Sequence, residues 1–203
     1  YRANIDVLKR CGVTDLIALS AIGSLRADMA PGQMVAVDQF IDRTVSRPAS
    51  YFGSGLVAHV SLADPVCPRL AAGLADAVEA EGATAHRGGT YVAIEGPQFS
   101  TRAESLLYRQ WGGDVIGMTA MPEVRLAREA ELPYASVAMV TDFDCWREEF
   151  EAVTVTNVLE VLHANSSKAR DLVAHLARGL AGTKRAPSPI DTCLDFAMIT
   201  PPE

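Results

Sequence analysis

Two aspartates two positions apart are the first residues in this sequence that could do chemistry. Asp142 and Asp144 directly follow the apolar run 134–140 (YASVAMV), which is typical of a strand buried on both faces. If that strand continues through them, both carboxylates lie on one side of it. Two close carboxylates in a partly dry site cannot both ionise at low cost, so the pKa of one should be raised. One carboxyl could then donate a proton and the other accept a hydrogen bond. An acidic cap exposed to solvent is the alternative interpretation.

Hydroxyl groups follow two other short apolar runs. Ser20 directly follows the run 13–19, and Thr119 lies shortly after the run 115–116. Side-chain hydroxyls together with backbone N–H groups can bind an oxyanion, although hydroxyls at strand ends also form turns. His59 lies near the irregular stretch 43–56 and has no neighbouring Cys or His. On spacing alone it is an ordinary surface or core histidine.

The elements that must position these residues alternate between strands and helices. The predicted strands are 13–19, 34–41, 90–94, 115–116 and 134–140, with helices beginning near residues 2, 64, 101, 122 and 154. Thr101 and Glu104 have the spacing of a capping box at the start of the third helix. This alternation predicts an α/β fold with a parallel or mixed sheet. The polar residues then meet where the strands end, which is where such folds bind ligands.

Composition excludes several function classes. The chain has 203 residues, 49% of them hydrophobic, and a formal net charge of −7. A general nucleic-acid-binding surface needs clustered cations, so no nucleic-acid partner is expected. No apolar run approaches the roughly 20 residues of a membrane-spanning helix, so no membrane partner is expected. Four widely spaced cysteines without a CxxC pair favour reduced thiols in the cytoplasm over a metal site or disulfides.

Six motifs in order carry a resemblance to a known family. They are residues 1–5 (YRANI), 20–25 (SAIGSL), 38–44 (DQFIDRT), 95–104 (EGPQFSTRAE), 118–119 (MT) and 141–146 (TDFDCW). Together they resemble the trimeric purine nucleoside phosphorylases, and within them the methylthioadenosine phosphorylase branch. The resemblance runs from residue 1 to about residue 162.

The resemblance implies one phosphorylase-type three-layer α/β domain over residues 1–203, with a mixed, partly barrel-like central sheet flanked by helices. It implies a pentosyltransferase in which phosphate attacks C1′ of 5′-methylthioadenosine, releasing adenine and 5-methylthioribose 1-phosphate for purine and methionine salvage. Inorganic phosphate is a co-substrate, and neither a metal nor an organic cofactor is implied. The expected state is a cytoplasmic homo-oligomer, most simply a trimer.

The resemblance also assigns roles to residues. The implied phosphate ligands are Ser20, Ala21 and Thr119. Asp142 would donate to N7 of the purine, and an ionised Asp144 would accept from its 6-amino group. The implied nucleoside contacts are Phe99, Met118, Val155, Val158, Leu159 and, from the neighbouring subunit, His59. On periodicity alone, the stripe Val155, Val158 and Leu159 is ordinary helix core.

One part of the family pattern has no counterpart here. A Gly-rich phosphate loop and an Arg–His pair precede the YRANI segment in the family, so weak phosphate binding and slow turnover are expected of these 203 residues alone. Two alternatives stay open: a phosphorylase of 6-oxopurine nucleosides or methylthioinosine, and a non-catalytic purine-binding remnant. Asp142 and Val155 favour methylthioadenosine, because the 6-oxopurine enzymes typically have Asn and a nearby His at these positions.

Overall fold

The computed structural model describes residues 1–147 and 155–200; the side chains of 155–158, 160 and 162–167 also lie outside the description. The strands are β1 (Leu16–Ser24), β2 (Met34–Val37), β3 (Gln39–Arg43), β4 (Ala85–Arg87), β5 (Thr90–Ile94), β6 (Val115–Gly117) and β7 (Tyr134–Asp142). The helices are α1 (Arg2–Arg10), α2 (Pro68–Ala80), α3 (Arg102–Gln110), α4 (Glu123–Glu129) and α5 (Val155–Ala181), with a short 3-10 turn at Pro189–Thr192.

The seven strands form one mixed sheet in the order β3-β5-β6-β1-β7-β2-β4. Strand β1 runs parallel to β7, whereas β6 is antiparallel to β1 and β2 is antiparallel to β7. Only Asp38 separates β2 from β3, although these strands lie towards opposite ends of the strand order. The two ends of the sheet must therefore approach each other, and the sheet curls into a partial barrel. The expected fold is confirmed.

The chain bend at Asp38, between β2 and β3, is held by a contact with Gly88 and Gly89. The N–H of Gly89 donates to Asp38 Oδ1 at 3.0 Å, which joins the β4–β5 bend to the β2–β3 bend. Gly88 has φ +91°, and a Cβ there would lie 2.7 Å from Asp38 Oδ2. Glycine is required at this position both for the backbone conformation and for the close approach.

Helices cover both faces of the sheet. Ile5 of α1 and Leu126 of α4 pack on one face, and Leu74 of α2 and Leu172 of α5 pack on the other. Strand β7 lies between the two layers, and all its residues from Tyr134 to Thr141 are buried. None of the described helices is both long and apolar enough to cross a membrane.

Two strand predictions need correction. The strand predicted over 13–19 instead runs from Leu16 to Ser24, because its parallel pairing with β7 begins at Leu16 and extends to Gly23. The predicted strand 34–41 is two strands, because the chain bends at Asp38. The capping box is confirmed: the Thr101 side chain accepts from the Glu104 N–H, and the Glu104 side chain accepts from the Thr101 N–H.

Candidate active site

A cavity of about 160 Å³ opens where β1, β6 and β7 meet the segment that follows β5. Because β1 and β7 are parallel, the polar residues at their carboxyl ends reach the same edge of the sheet. Six residues expected from the sequence line this cavity: Ala21, Phe99, Met118, Thr119, Asp142 and Asp144. A groove of about 430 Å³ along β1 adjoins it and shares Ala21 and Thr119.

Hydroxyl groups form one end of the site. Ser20 Oγ lies 2.9 Å from Thr119 Oγ1, so the two predicted phosphate ligands are in hydrogen-bond contact. Ser20 is buried, while Thr119 is exposed towards the cavity that it lines. The sequence prediction missed a third group, because Tyr91 lies in a strand with the pattern of core. Its phenol oxygen is 3.4 Å from Ser20 Oγ.

The two aspartates form the other end of the site. Asp142 accepts a hydrogen bond from the Thr141 hydroxyl and one from the Asp144 N–H, both at 2.7 Å. Strand β7 ends at Asp142, and Asp144 lies in a turn with φ +51°. The strand therefore does not continue through both residues, and the turn brings the Asp144 N–H to the Asp142 carboxyl instead. A Cβ at Gly23 would lie 2.8 Å from Asp142 Oδ1, so glycine there lets the acidic pair approach β1.

The environments of the two carboxyls differ. Burial raises the pKa of Asp144, and the nearby Asp142 and Glu104 carboxylates raise it further, while the Ser105 hydroxyl opposes the shift. Asp144 is only 7% exposed. Asp142 accepts two hydrogen bonds. A raised pKa within the pair agrees with the sequence prediction, and the raised pKa is that of Asp144. The opposite assignment drawn from the resemblance stays a prediction.

The aromatic wall of the cavity comes from the loop after β5. Phe99 is 46% exposed and lines the cavity beside Met118. Arg47, from the irregular stretch, fixes this loop to the segment after β6 by donating to the carbonyls of Glu95 and Met118. The sequence prediction also missed Arg47, because a lone arginine in a stretch without periodicity carries no local signal.

The remaining predicted residues do not line this cavity, and of these Ser20 lines the adjoining groove. His59 is exposed and lies on the loop that pairs with residues 197–199, through its N–H to the Ala197 carbonyl at 2.8 Å. Leu159 is 45% exposed and is absent from the lining. The side chains of Val155 and Val158 lie outside the described residues. Within residues 1–147 and 155–200, no group of three or more His, Cys, Asp or Glu is arranged to hold a metal ion.

Comparison with known proteins identifies relatives over the whole chain. Residues 1–178 match the family model of the phosphorylase superfamily. The S-methyl-5′-thioadenosine phosphorylase of Bradyrhizobium diazoefficiens is 60% identical over 205 residues, which cover 100% of this chain and 70% of the relative. The Cereibacter sphaeroides protein of the same name is 59% identical over 204 residues, with coverage of 100% and 70%.

Solved structures show the same similarity. A methylthioadenosine phosphorylase from an antarctic soil metagenomic library has a TM-score of 0.93 and 46% identity, covering 99% of this chain and 71% of that one. The methylthioadenosine phosphorylase from Schistosoma mansoni, in complex with adenine, has a TM-score of 0.92 and 35% identity. That match covers 98% of this chain and 78% of the Schistosoma chain.

Proposed function

Because this chain belongs to the phosphorylase superfamily, we propose that it cleaves 5′-methylthioadenosine with inorganic phosphate, as a pentosyltransferase. The products are adenine and 5-methylthioribose 1-phosphate. One observation carries the proposal: the Thr119 hydroxyl and the paired carboxyls line a single cavity, with Ser20 in the adjoining groove, in a chain 60% identical to a methylthioadenosine phosphorylase. An oxyanion and a purine could occupy opposite ends of that cavity.

The proposed reaction needs no nucleophile from the protein. A phosphate oxygen forms a bond to C1′ while the C1′–N9 bond breaks, and the bonding electrons pass into the purine ring. Ser20, Thr119 and the backbone at Ala21 hold the phosphate, and positioned donors of this kind stabilise an anion in a dry site. Met118 contacts the ribose and Phe99 packs on the base.

The acidic pair supplies the proton that the leaving purine needs. A glycosyl transfer passes through an oxocarbenium-like state, so charge develops on the base as the bond breaks. Asp142 and Asp144 act as a unit with one proton between them, and that proton passes to N7. Burial keeps the pKa of Asp144 above its ordinary value, which favours a retained proton in the free site.

A substrate panel tests this proposal and its alternatives. Purified protein is incubated with methylthioadenosine, adenosine, methylthioinosine or inosine, with and without phosphate, and the free base is measured by chromatography. The Bradyrhizobium relative serves as the active control. We expect base release to require phosphate and to be fastest with methylthioadenosine, at a rate below that of the control. Preference for methylthioinosine or inosine would support the 6-oxopurine alternative, and no release would support a purine-binding remnant.

We also propose that the protein works as a homo-oligomer, most simply a trimer in the cytoplasm, and that it serves purine and methionine salvage. Support comes from an apolar patch formed by Val57, Phe196, Met198 and Ile199, which are 51%, 101%, 41% and 59% exposed. A surface of this kind is typical of an interface. His59 lies on the same paired segment, so closed symmetry could bring it to a neighbouring subunit's site.

A further inference from the structure

Tyr91 is a completely buried phenol placed behind the hydroxyl end of the active site. Its side chain is 0% exposed, and its ring packs on Phe40 with the centroids 5.9 Å apart. The ring extends beneath Gly117, where an added Cβ would overlap the phenol oxygen. The fold therefore leaves a space at Gly117 that the Tyr91 hydroxyl fills.

One hydrogen bond of this hydroxyl has a direction fixed by chemistry. The Thr119 N–H can only donate, and it lies 3.5 Å from the Tyr91 oxygen, so Tyr91 accepts there. The phenol hydrogen is then available to Ser20 Oγ at 3.4 Å. Ser20 in turn has one hydrogen, and Thr119 Oγ1 at 2.9 Å is a closer acceptor than the Ala21 carbonyl at 3.4 Å.

The chain of hydrogen bonds ends at the cavity. Once Thr119 Oγ1 accepts from Ser20, its own hydrogen has no acceptor among the described residues, and Thr119 lines the cavity. Successive hydrogen bonds polarise one another, so each donor becomes stronger towards the end of the chain. Without the phenol, the Ser20 hydroxyl is free to turn to the Ala21 carbonyl, and Thr119 loses its fixed orientation.

We propose that Tyr91 is a positioning residue for phosphate, which orients the Ser20 and Thr119 hydroxyls so that Thr119 donates to the anion. This inference rests on the proposed function, since it concerns the phosphate of that reaction. Tyr91 does not line the cavity and touches no reacting atom. Its effect is therefore confined to phosphate and does not extend to the base.

The test is Tyr91→Phe, which keeps the ring and removes one oxygen. Initial rates are measured against phosphate at saturating methylthioadenosine, and adenine binding is measured separately by calorimetry. We expect the KM for phosphate to rise about fivefold to tenfold, as for loss of one hydrogen bond, with adenine affinity unchanged. The matched control is Tyr51→Phe, which removes a phenol that donates to Asp6 at 2.9 Å, and its KM for phosphate should stay at the wild-type value.

A double-mutant cycle with Ser20→Ala tests whether Tyr91 affects the KM for phosphate through the Ser20 hydroxyl. If Tyr91 acts through Ser20, Tyr91→Phe should add little to the phosphate KM once Ser20 is alanine. An unchanged phosphate KM in Tyr91→Phe, or an equal loss of adenine and phosphate binding, would overturn the positioning role while leaving the proposed function standing. Wild-type protein without phosphate-dependent turnover would overturn both.

Discussion

The buried carboxyl of Asp144 lowers the stability of the folded protein. It is buried, and its neighbour Asp142 is also acidic. Burial raises the pKa of Asp144, so its ionised form is more costly in the folded chain than in the unfolded chain. A buried carboxyl of this kind lowers the free energy of unfolding at neutral pH.

Asp144→Asn should therefore stabilise the protein in a pH-dependent way. The folded-state pKa lies above the unfolded value, so the wild type loses stability as pH rises from about 4 towards the folded-state pKa. Asparagine has no charge to bury, and it tolerates the φ of +51° at this position. We expect a higher free energy of unfolding than wild type near pH 7 and a similar one near pH 4, measured by urea denaturation.

Asp142→Asn is the matched control for this change. Asp142 accepts two hydrogen bonds, so the amide should weaken them and lower stability at neutral pH. A pH-independent effect of Asp144→Asn, or a loss of stability at pH 7, would contradict the burial argument.

At the scale of elements, the closure of the barrel depends on the two adjacent bends. Gly12 and Gly88 both have positive φ, +77° and +91°, but only at Gly88 would a Cβ meet another atom within 4 Å. Replacing either glycine by alanine should cost roughly 1–2 kcal/mol for the backbone conformation. Gly88→Ala should cost about 1–3 kcal/mol more, because the methyl group overlaps the Asp38 carboxylate.

Urea denaturation of Gly12→Ala and Gly88→Ala measures this difference directly. Equal losses of unfolding free energy in the two variants would mean that the contact between the bends does not hold the sheet ends together.

The elements that could be predicted from the sequence are those with local signals. Strand β7 has a continuous apolar run, and α3 has a complete capping box. The end of β1 carries Gly23 and Ser24, which look like loop, and its strand conformation comes from pairing with residues over 90 positions away. The bend at Asp38 likewise depends on a contact with Gly89.

The site likewise contains residues with a local sequence signal and residues whose position depends on distant contacts. Hydroxyls and carboxyls at strand ends can be found by residue type, which is why Thr119, Asp142 and Asp144 were expected. Tyr91 and Arg47 act through contacts with distant backbone and side-chain groups. A sequence pattern carries no information about such contacts.

At the scale of the whole molecule, the apolar patch tests the proposed assembly. Phe196 is its most exposed member, and a charge there would be costly to bury against a second copy. Phe196→Asp should dissociate the oligomer to monomers while leaving each subunit folded. Light scattering after size exclusion, with circular dichroism, measures both properties.

The matched control is Val7→Asp, on a residue of α1 that is 55% exposed and outside the patch. It should leave the oligomer intact. A wild-type protein that is monomeric and fully active, or a Phe196→Asp variant that still assembles, would contradict the proposed interface.

In the proposed reaction, phosphate itself attacks the nucleoside in the cavity between the hydroxyls and the acidic pair. Phosphorus-31 NMR of the protein with methylthioadenosine and inorganic phosphate tests this most directly. We predict that a sugar 1-phosphate signal grows as the inorganic phosphate signal falls, in a one-to-one ratio with released adenine. Adenine release with the inorganic phosphate signal unchanged would mean that water is the nucleophile, and would contradict the account.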